Sequence, residues 1–349
     1  MENVFAQRLL NARKMKGLSQ RELSNAVSGK ISPTAIAKYE RGLMMPSSAT
    51  LLQLANALGM KPDYFFRPFT VHIDINKFEF RKHSGLKGRK EEAIKHRICS
   101  EIEKYIEIET ILGMNEVFSI NYKDKPVQNE QDVQALAIRF RQDMNLGMDG
   151  INSATELLES IGVKIIEIDY EHRFSGTCNT AGTVPIIIIN KNMTPERKRL
   201  TIFHELGHLI LSFANDADVE KLCTVFANEV LIPSKVFKSL IGERRHDISL
   251  VELRAIQEDF GISVDALMAK AAALNVISGK RYTTYHKKKN ISHKLKAEVE
   301  KSLYHKEHIT NRFERLVYSA LAREMVTYSK AAVLLDTSVA DVRERVNLM

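Results

Sequence analysis

Apolar residues recur at three- and four-residue spacing through most of the first 66 positions. VFAQRLLNARK, RELSNAV, TAIAKYE and TLLQLANALG carry the pattern, which predicts short amphipathic helices over residues 3–66. Ser19 and Ser32 stand where N-caps belong, and Gly42, Pro46 and Gly59 mark ends and turns. PFTVHIDINKFEFRK (68–82) reads as an extended connector. A long amphipathic helix follows over 90–114, then helices over 130–144 and 151–161. There the period changes. VKIIEID (163–169) and VPIIIIN (184–190) are β-branched apolar runs between loops and predict strands. Helical spacing returns over 195–213, 217–231, 249–259 and 263–274. After the basic stretch GKRYTTYHKKKN, residues 294–349 read as helical throughout, and the lysines at 287–289 as a solvated loop.

These elements predict an α+β chain, mostly α. The expected divisions are an all-α domain of short helices over 1–67, a connector and long helix over 68–129, a domain with a small sheet over 130–275, and a basic helical region over 276–349. The 349 residues suffice for two or three cores. No apolar run approaches the roughly 18 residues of a membrane span, and MENVFAQRLL lacks the pattern of a signal peptide. Cys99, Cys178 and Cys223 are far apart and in no CxxC pair, as expected in a reducing cytoplasm.

The net charge of +8 is unevenly placed. Residues 1–70 hold ten Lys/Arg against four Asp/Glu, and residues 280–349 hold fifteen against eight, which leaves the middle acidic. Basic ends suit contact with a nucleic acid, although solvated helix faces give the same count.

The candidate chemistry lies in LTIFHELGHLIL. Residues four apart on a helix are about 40° from the same face, so His204 and His208 can direct two imidazoles at one ion. Glu205 is turned about 100° from His204, beside an ion rather than on it, where a carboxylate can take a proton from a water held there. The bland alternative is a pair of satisfied core histidines. Gly207, unfavourable inside a helix by about 1 kcal/mol, suits a place where another backbone passes close. A zinc site that does chemistry needs a third protein ligand and an open position. The following segment, VEKLCTVFANEVLIP, offers Glu220 and Glu229, with Asp216 and Asp218 less well placed. Leu222, Val225, Phe226 and Val230 form its apolar stripe.

RKRLTIFHELGHLIL followed by EKLCTVFANEVLIP resembles the ImmA/IrrE-type metallopeptidase family. The pattern is R-x-R-F-T-x-x-HE-x-GH, then E-x-x-A-N-x-F-A-x-x-L-L-x-P. Arg197, Arg199 and Thr201 match the lead-in, His204, Glu205, Gly207 and His208 the core, and Glu220, Phe226, Ala227, Leu231 and Pro233 the second helix. The resemblance covers about residues 130–275 and implies a zincin-like peptidase domain. It implies His204, His208 and Glu220 as Zn2+ ligands and Glu205 as general base. Cys223 and Thr224 replace the family's Ala-Asn pair; an Asn there could hydrogen-bond a histidine and fix its tautomer, and Thr224 could do so less flexibly. Cys223 reads as a small buried residue rather than a ligand. Tyr170, His172 and Arg197 are candidate oxyanion stabilisers, whereas solvated or ion-paired surface is the preferred reading of Arg197 and Arg199.

Residues 5–66 resemble the phage-repressor (XRE) helix-turn-helix family through Leu18, Ser19, Gln20, Glu22, Leu23, Ile36, Tyr39, Glu40, Arg41, Gly42, Pro46, Leu52, Ala55 and Leu58. Two short helices, 19–27 and 32–40, are joined by SGKI, a turn about two residues longer than usual. Thr34, Lys38 and Arg41 form a polar face that could enter a major groove, and Gln20 can meet a phosphate. Pro33 and Ala35 stand where longer polar side chains often do. Arg13 and Glu40 match a pair that is structural in the family. The C-terminal SKAAVLLDTSVADV has a weaker helix-turn-helix look and reads as docking or packing.

The expectation is a cytoplasmic regulator, of phage, mobile-element or stress-response type, that binds DNA and cleaves a protein. Its substrate would be a repressor or antitoxin-like regulator, as in the resembled family, and it has no membrane partner; a homodimer is among the assemblies allowed. Tethering a peptidase to a DNA-binding domain raises its effective concentration near a DNA-bound substrate. The alternative is a DNA-binding regulator whose zinc site is structural or sensory.

Overall fold

Ser19 accepts a hydrogen bond from the Glu22 amide and the Glu22 side chain reaches back, a reciprocal cap that starts one helix. Ser32 accepts from the Ala35 amide and starts the next, with Pro33 at its first position. The computed structural model of the protein describes residues 3–69, 88–114, 118–169, 174–307 and 312–347. Most of the expected 68–82 connector, and Tyr170 and His172, lie outside the described residues.

The chain folds as two compact units, Met1–Glu116 with Asn311–Met349, and Val117–Thr310. The first begins with α1 (Val4–Met15), α2 (Gln20–Ala26), α3 (Pro33–Glu40), α4 (Ser48–Leu58) and a 3-10 turn over Pro62–Phe66. Phe5, Leu9, Leu23, Ile36, Leu54, Leu58 and Phe65 meet in their core. Helix α5 (Arg89–Ile111) follows and packs on α1. The α1 residue Arg8 is buried against Glu103 of α5, with its Nη1 2.6 Å from a carboxylate oxygen.

The second unit opens with β1 (Tyr122–Val127), α6 (Glu130–Asp143) and α7 (Ala154–Ser160). Strands β2 (Lys164–Ile168), β3 (Gly176–Ala181) and β4 (Val184–Asn190) form a sheet of order β2-β4-β3. Central β4 runs parallel to β2 and antiparallel to β3. All four isoleucines of β4 are fully buried, as a strand covered on both faces requires. Helix α8 (Pro195–Ile210) lies against β3 and β4 and is followed by β5 (Leu211–Phe213), which pairs parallel with β1. Then come α9 (Val219–Leu231), α10 (Ser234–Ile241), α11 (Leu250–Phe260), α12 (Val264–Ala273), α13 (Gly279–Ile291) and α14 (His293–Glu300). Phe140 of α6 meets Phe203 of α8 and Phe226 of α9 edge-on, with centroids 6.2 and 6.1 Å apart. No described helix is long and apolar enough to cross a membrane. The architecture is mostly α with small sheets, as expected.

Several local expectations differ from the structure. The helix expected over 195–213 stops at Ile210, because Leu211 turns extended (ψ 153°) to pair with β1. The lysines at 287–289 are not a loop. They lie in α13, where Lys289 is 9% exposed and sits 2.5 Å from Asp265 and 3.3 Å from Glu300. The C-terminal region is not helical throughout, since residues 301–307 form no helix. There buried Glu196 accepts hydrogen bonds from Ser302 Oγ (2.8 Å) and from the Leu303 and Tyr304 amides. Those amides are therefore satisfied by a side chain rather than by a helix turn.

The chain then returns to the first unit as α15 (Arg312–Ala322), α16 (Tyr328–Leu334) and α17 (Val339–Asn347). Val317, Ala320, Ala331, Leu334 and Val342 share a core with Ile108 of α5. Lys330 and Arg312 pair with Glu107 and Glu109 of the same helix. This supports the packing reading of SKAAVLLDTSVADV. The expected 276–349 region is thus divided, with α13, α14 and 301–307 in the second unit and α15–α17 in the first.

Candidate metal centre and helix-turn-helix surface

Thr194 caps α8 and Pro195 occupies its first turn. Ile202, Phe203, Leu206 and Ile210 turn into the core, which leaves the His204–His208 row on the adjoining face. Helix α9 starts at Asp218, whose side chain accepts from the Lys221 amide. That cap places Glu220 in the first turn, beside the histidines. His204 Nε2 and His208 Nε2 are 3.2 Å apart, and the Glu220 carboxylate lies 3.4 Å from the first and 3.6 Å from the second. The side chains are 13%, 21% and 55% exposed, so the cluster opens to solvent on the Glu220 side. Among the described residues this is the cluster of His, Cys, Asp and Glu that could hold a metal.

The spacing fits zinc. A tetrahedron with bonds of about 2.0–2.1 Å has edges of about 3.3–3.4 Å, close to the three separations. Two imidazoles and a carboxylate are also a donor set typical of zinc sites that keep a fourth position open.

A second layer orients the donors. The Thr224 hydroxyl donates to the Glu220 carbonyl oxygen (2.9 Å) and lies 3.2 Å from His204 Nδ1. With its proton used, it accepts from Nδ1–H, which leaves the lone pair of Nε2 facing the cluster. Thr224 thus makes the contact expected of the family's Asn. Gly207 allows α8 and α9 to close: a Cβ there would lie 3.2 Å from Cys223 Sγ. Cys223 is fully buried on this helix contact and outside the ligand cluster.

Glu205 is 3% exposed and packs beneath β3. A Cβ at Gly176 would fall 2.5 Å from Thr201 Cγ2, 3.0 Å from the Ile188 carbonyl oxygen and 3.5 Å from Glu205 Cγ. Only glycine lets β3 lie this close to α8, beside Glu205. Among the described residues β3 is one of the two outer strands of its sheet, and its first residue passes beside Glu205. The sequence reading missed this strand, because GTCNTA is small and polar. The signal available was the two-residue turn Gly182–Thr183 (Gly182 φ 61°) before VPIIIIN, which closes an antiparallel hairpin.

The other candidates are placed elsewhere. Glu229 is buried and accepts from Lys270 Nζ (2.8 Å), the Ser234 amide (2.7 Å) and Ser234 Oγ (2.6 Å). Asp216 is exposed outside the cluster, and Asp218 is the cap. Arg197 is exposed, with Nη2 3.0 Å from Ser175 Oγ. Arg199 is no surface residue. It is fully buried, 2.7 Å from Glu307 and 2.6 Å from the Ile151 carbonyl oxygen, and the ring of Tyr304 lies 4.4 Å from its guanidinium.

In the first unit, Thr34, Lys38 and Arg41 are exposed in one row along α3 and its C-cap. Gln20 is held inward: its amide donates to Glu40 (2.8 Å), which also receives Arg13 through Nε (2.5 Å) and Nη2 (2.8 Å). The Arg13–Glu40 pair is buried and structural, as expected. Ser28 and Gly29 (φ 59° and 70°) turn the chain between α2 and α3.

Residues 9–65 match the model of the helix-turn-helix family, and residues 158–271 match that of the IrrE N-terminal-like domain, a family of zinc metallopeptidases. No curated protein matches the chain. The chain therefore joins a helix-turn-helix module to a peptidase-family domain, as the two resemblances implied.

Proposed function

We propose that this protein is a DNA-binding regulator whose second unit is a zinc-dependent endopeptidase. The observation that carries the reading is the convergence of His204, His208 and Glu220 at metal-ligand spacing, with the buried carboxylate of Glu205 on the same helix. Zinc at these three residues would lower the pKa of a coordinated water towards about 7 and polarise a substrate carbonyl.

The chain's own residues do the rest. Glu205 takes a proton from the attacking water and passes it to the leaving amine, so that water and a peptide bond become a carboxylic acid and an amine. Burial beneath β3 holds Glu205 away from bulk water. Thr224 fixes the tautomer of His204. The outer edge of β3 can pair with an extended substrate backbone, which suits a protein substrate better than a small molecule. The module over residues 3–66 presents Thr34, Lys38 and Arg41 to DNA, and Gln20, already tied to Glu40, has one amide hydrogen left for a phosphate. The substrate proposed is a repressor or antitoxin-like regulator bound near the same DNA, where tethering concentrates the peptidase.

The test is incubation of the purified full-length chain and zinc with the product of the neighbouring gene, beside Glu205→Gln. Cleavage is expected from the native chain, and the variant should retain metal and slow by about 10²–10⁴-fold. A glutamine variant that cleaves at the native rate removes Glu205 from its role. Stoichiometric zinc without cleavage of this or any other offered regulator favours a sensory or structural site.

A further inference from the structure

Helix α5 begins beside α2, beyond the residues matched by the helix-turn-helix family. Arg89 Nη1 lies 2.7 Å from Glu22 of α2, and Lys14 Nζ of α1 lies 2.5 Å from Glu92 of α5. Between them is a cleft of about 220 Å³, lined by Arg13, Lys14, Ser19, Gln20, Arg89 and Glu92. Three cations and one carboxylate thus face one small concavity. It adjoins the end of the helix that presents Lys38 and Arg41, because Gln20 at its wall is bonded to Glu40 in the last turn of α3.

The three cations are not equivalent. Arg13 is turned inward, spent on Glu40 and on the Leu18 carbonyl oxygen. Lys14 is 27% exposed and paired with Glu92. Arg89 is 63% exposed and its partner Glu22 is 49% exposed. An ion pair this open to solvent is weak. A guanidinium can exchange such a carboxylate for a phosphate, which offers the same two-oxygen geometry. Lys90 is exposed next to it in the chain.

We infer that Arg89 is a DNA-backbone contact, which leaves Glu22 and takes a phosphodiester at the mouth of this cleft when α3 is docked in a groove. The inference rests on the DNA-binding reading of residues 3–66 and extends the DNA surface on to α5. Glu22 then has a second role besides capping α2: it neutralises Arg89 in the free protein and competes with the phosphate.

The experiment is a salt titration of full-length protein on a mixed-sequence DNA duplex, followed by fluorescence anisotropy. Native chain, Arg89→Ala, Glu22→Gln, the double variant and Lys38→Ala are compared. Glutamine at 22 retains the capping geometry. Arg89→Ala should weaken binding at low salt and reduce the magnitude of the log–log salt slope by about 0.9, the value for one phosphate contact. Glu22→Gln should tighten binding, and more so when Arg89 is present than in the double variant. An unchanged slope in Arg89→Ala, with a reduced slope in Lys38→Ala, overturns the inference and leaves the DNA-binding reading standing. Equal gains from Glu22→Gln with and without Arg89 also overturn it. No DNA binding by the native chain removes both.

Discussion

His204 and Thr224 hold each other in fixed roles across the α8–α9 contact. The hydroxyl spends its proton on the Glu220 carbonyl oxygen and receives Nδ1–H of the imidazole at 3.2 Å. One small side chain therefore ties the His204 imidazole to the backbone of Glu220, the carboxylate of the same cluster. Thr224→Val keeps the shape and removes the hydroxyl. Metal affinity, measured by chelator competition, should fall about 10–100-fold, while Thr224→Ser should retain it. Native affinity in the valine variant would show that the hydroxyl does not orient the ring.

The two carboxylates of α9 should separate cleanly. Glu220 is 55% exposed, so Glu220→Ala should lose the metal and keep the fold. The Glu229 and Lys270 side chains are 6% and 8% exposed. Glu229→Ala leaves a buried ammonium unpaired and should cost about 3–5 kcal/mol of stability, with metal per folded chain unchanged. Metal stoichiometry and denaturant unfolding on the same samples decide it; the opposite pattern would transfer the ligand role to Glu229.

Gly176 should be intolerant because of what lies opposite. Gly176→Ala brings a methyl 2.5 Å from Thr201 Cγ2 and 3.0 Å from the Ile188 carbonyl oxygen, so β3 must lift from α8. The variant should unfold more readily and cleave more slowly. Thr201→Ser removes the first of these atoms and should restore part of the loss. If the double variant is no better than the single, the clash with Thr201 is not the cause.

Acid should destabilise the first unit through His96. Burial pushes its imidazole down to about 4, against the opposing pull of Glu92 and with Lys14 and Arg13 acting in the same direction as burial. The unfolded chain binds a proton there near pH 6.5, so between about 6.5 and 4 it holds more protons than the folded one. The stability contributed by neutral His96 is complete above pH 6.5 and is lost as pH falls towards 4. His96→Gln should flatten this part of the stability–pH curve. An unchanged slope would assign the acid sensitivity to other groups.

What the sequence alone determined is what depends on neighbours along the chain. The Ser19 and Ser32 caps, the 3.6-residue stripes of α8 and α9 and the four-residue spacing of His204 and His208 are set within one or two helical turns, and each was legible. The helix pattern alone offered Glu220 and Glu229, and the family resemblance pointed to Glu220. The packing of Cys223 against Gly207 and the Asp218 cap set that end of α9 beside the histidines. Other features belong to tertiary structure because their partners are remote. GTCNTA becomes a strand because β4 completes its hydrogen bonds. Arg199, which reads as surface by composition, is buried because Glu307 lies opposite it 108 residues later. Residues 301–307 leave the helical pattern because Glu196 takes their amides, and α15–α17 return to the first unit because α5 offers them Ile108 and a row of glutamates. In these cases the deciding energy is burial of a charge, of an unpaired backbone group or, for α15–α17, of apolar surface as well. It is set by what stands opposite in space, which periodicity along the chain does not record.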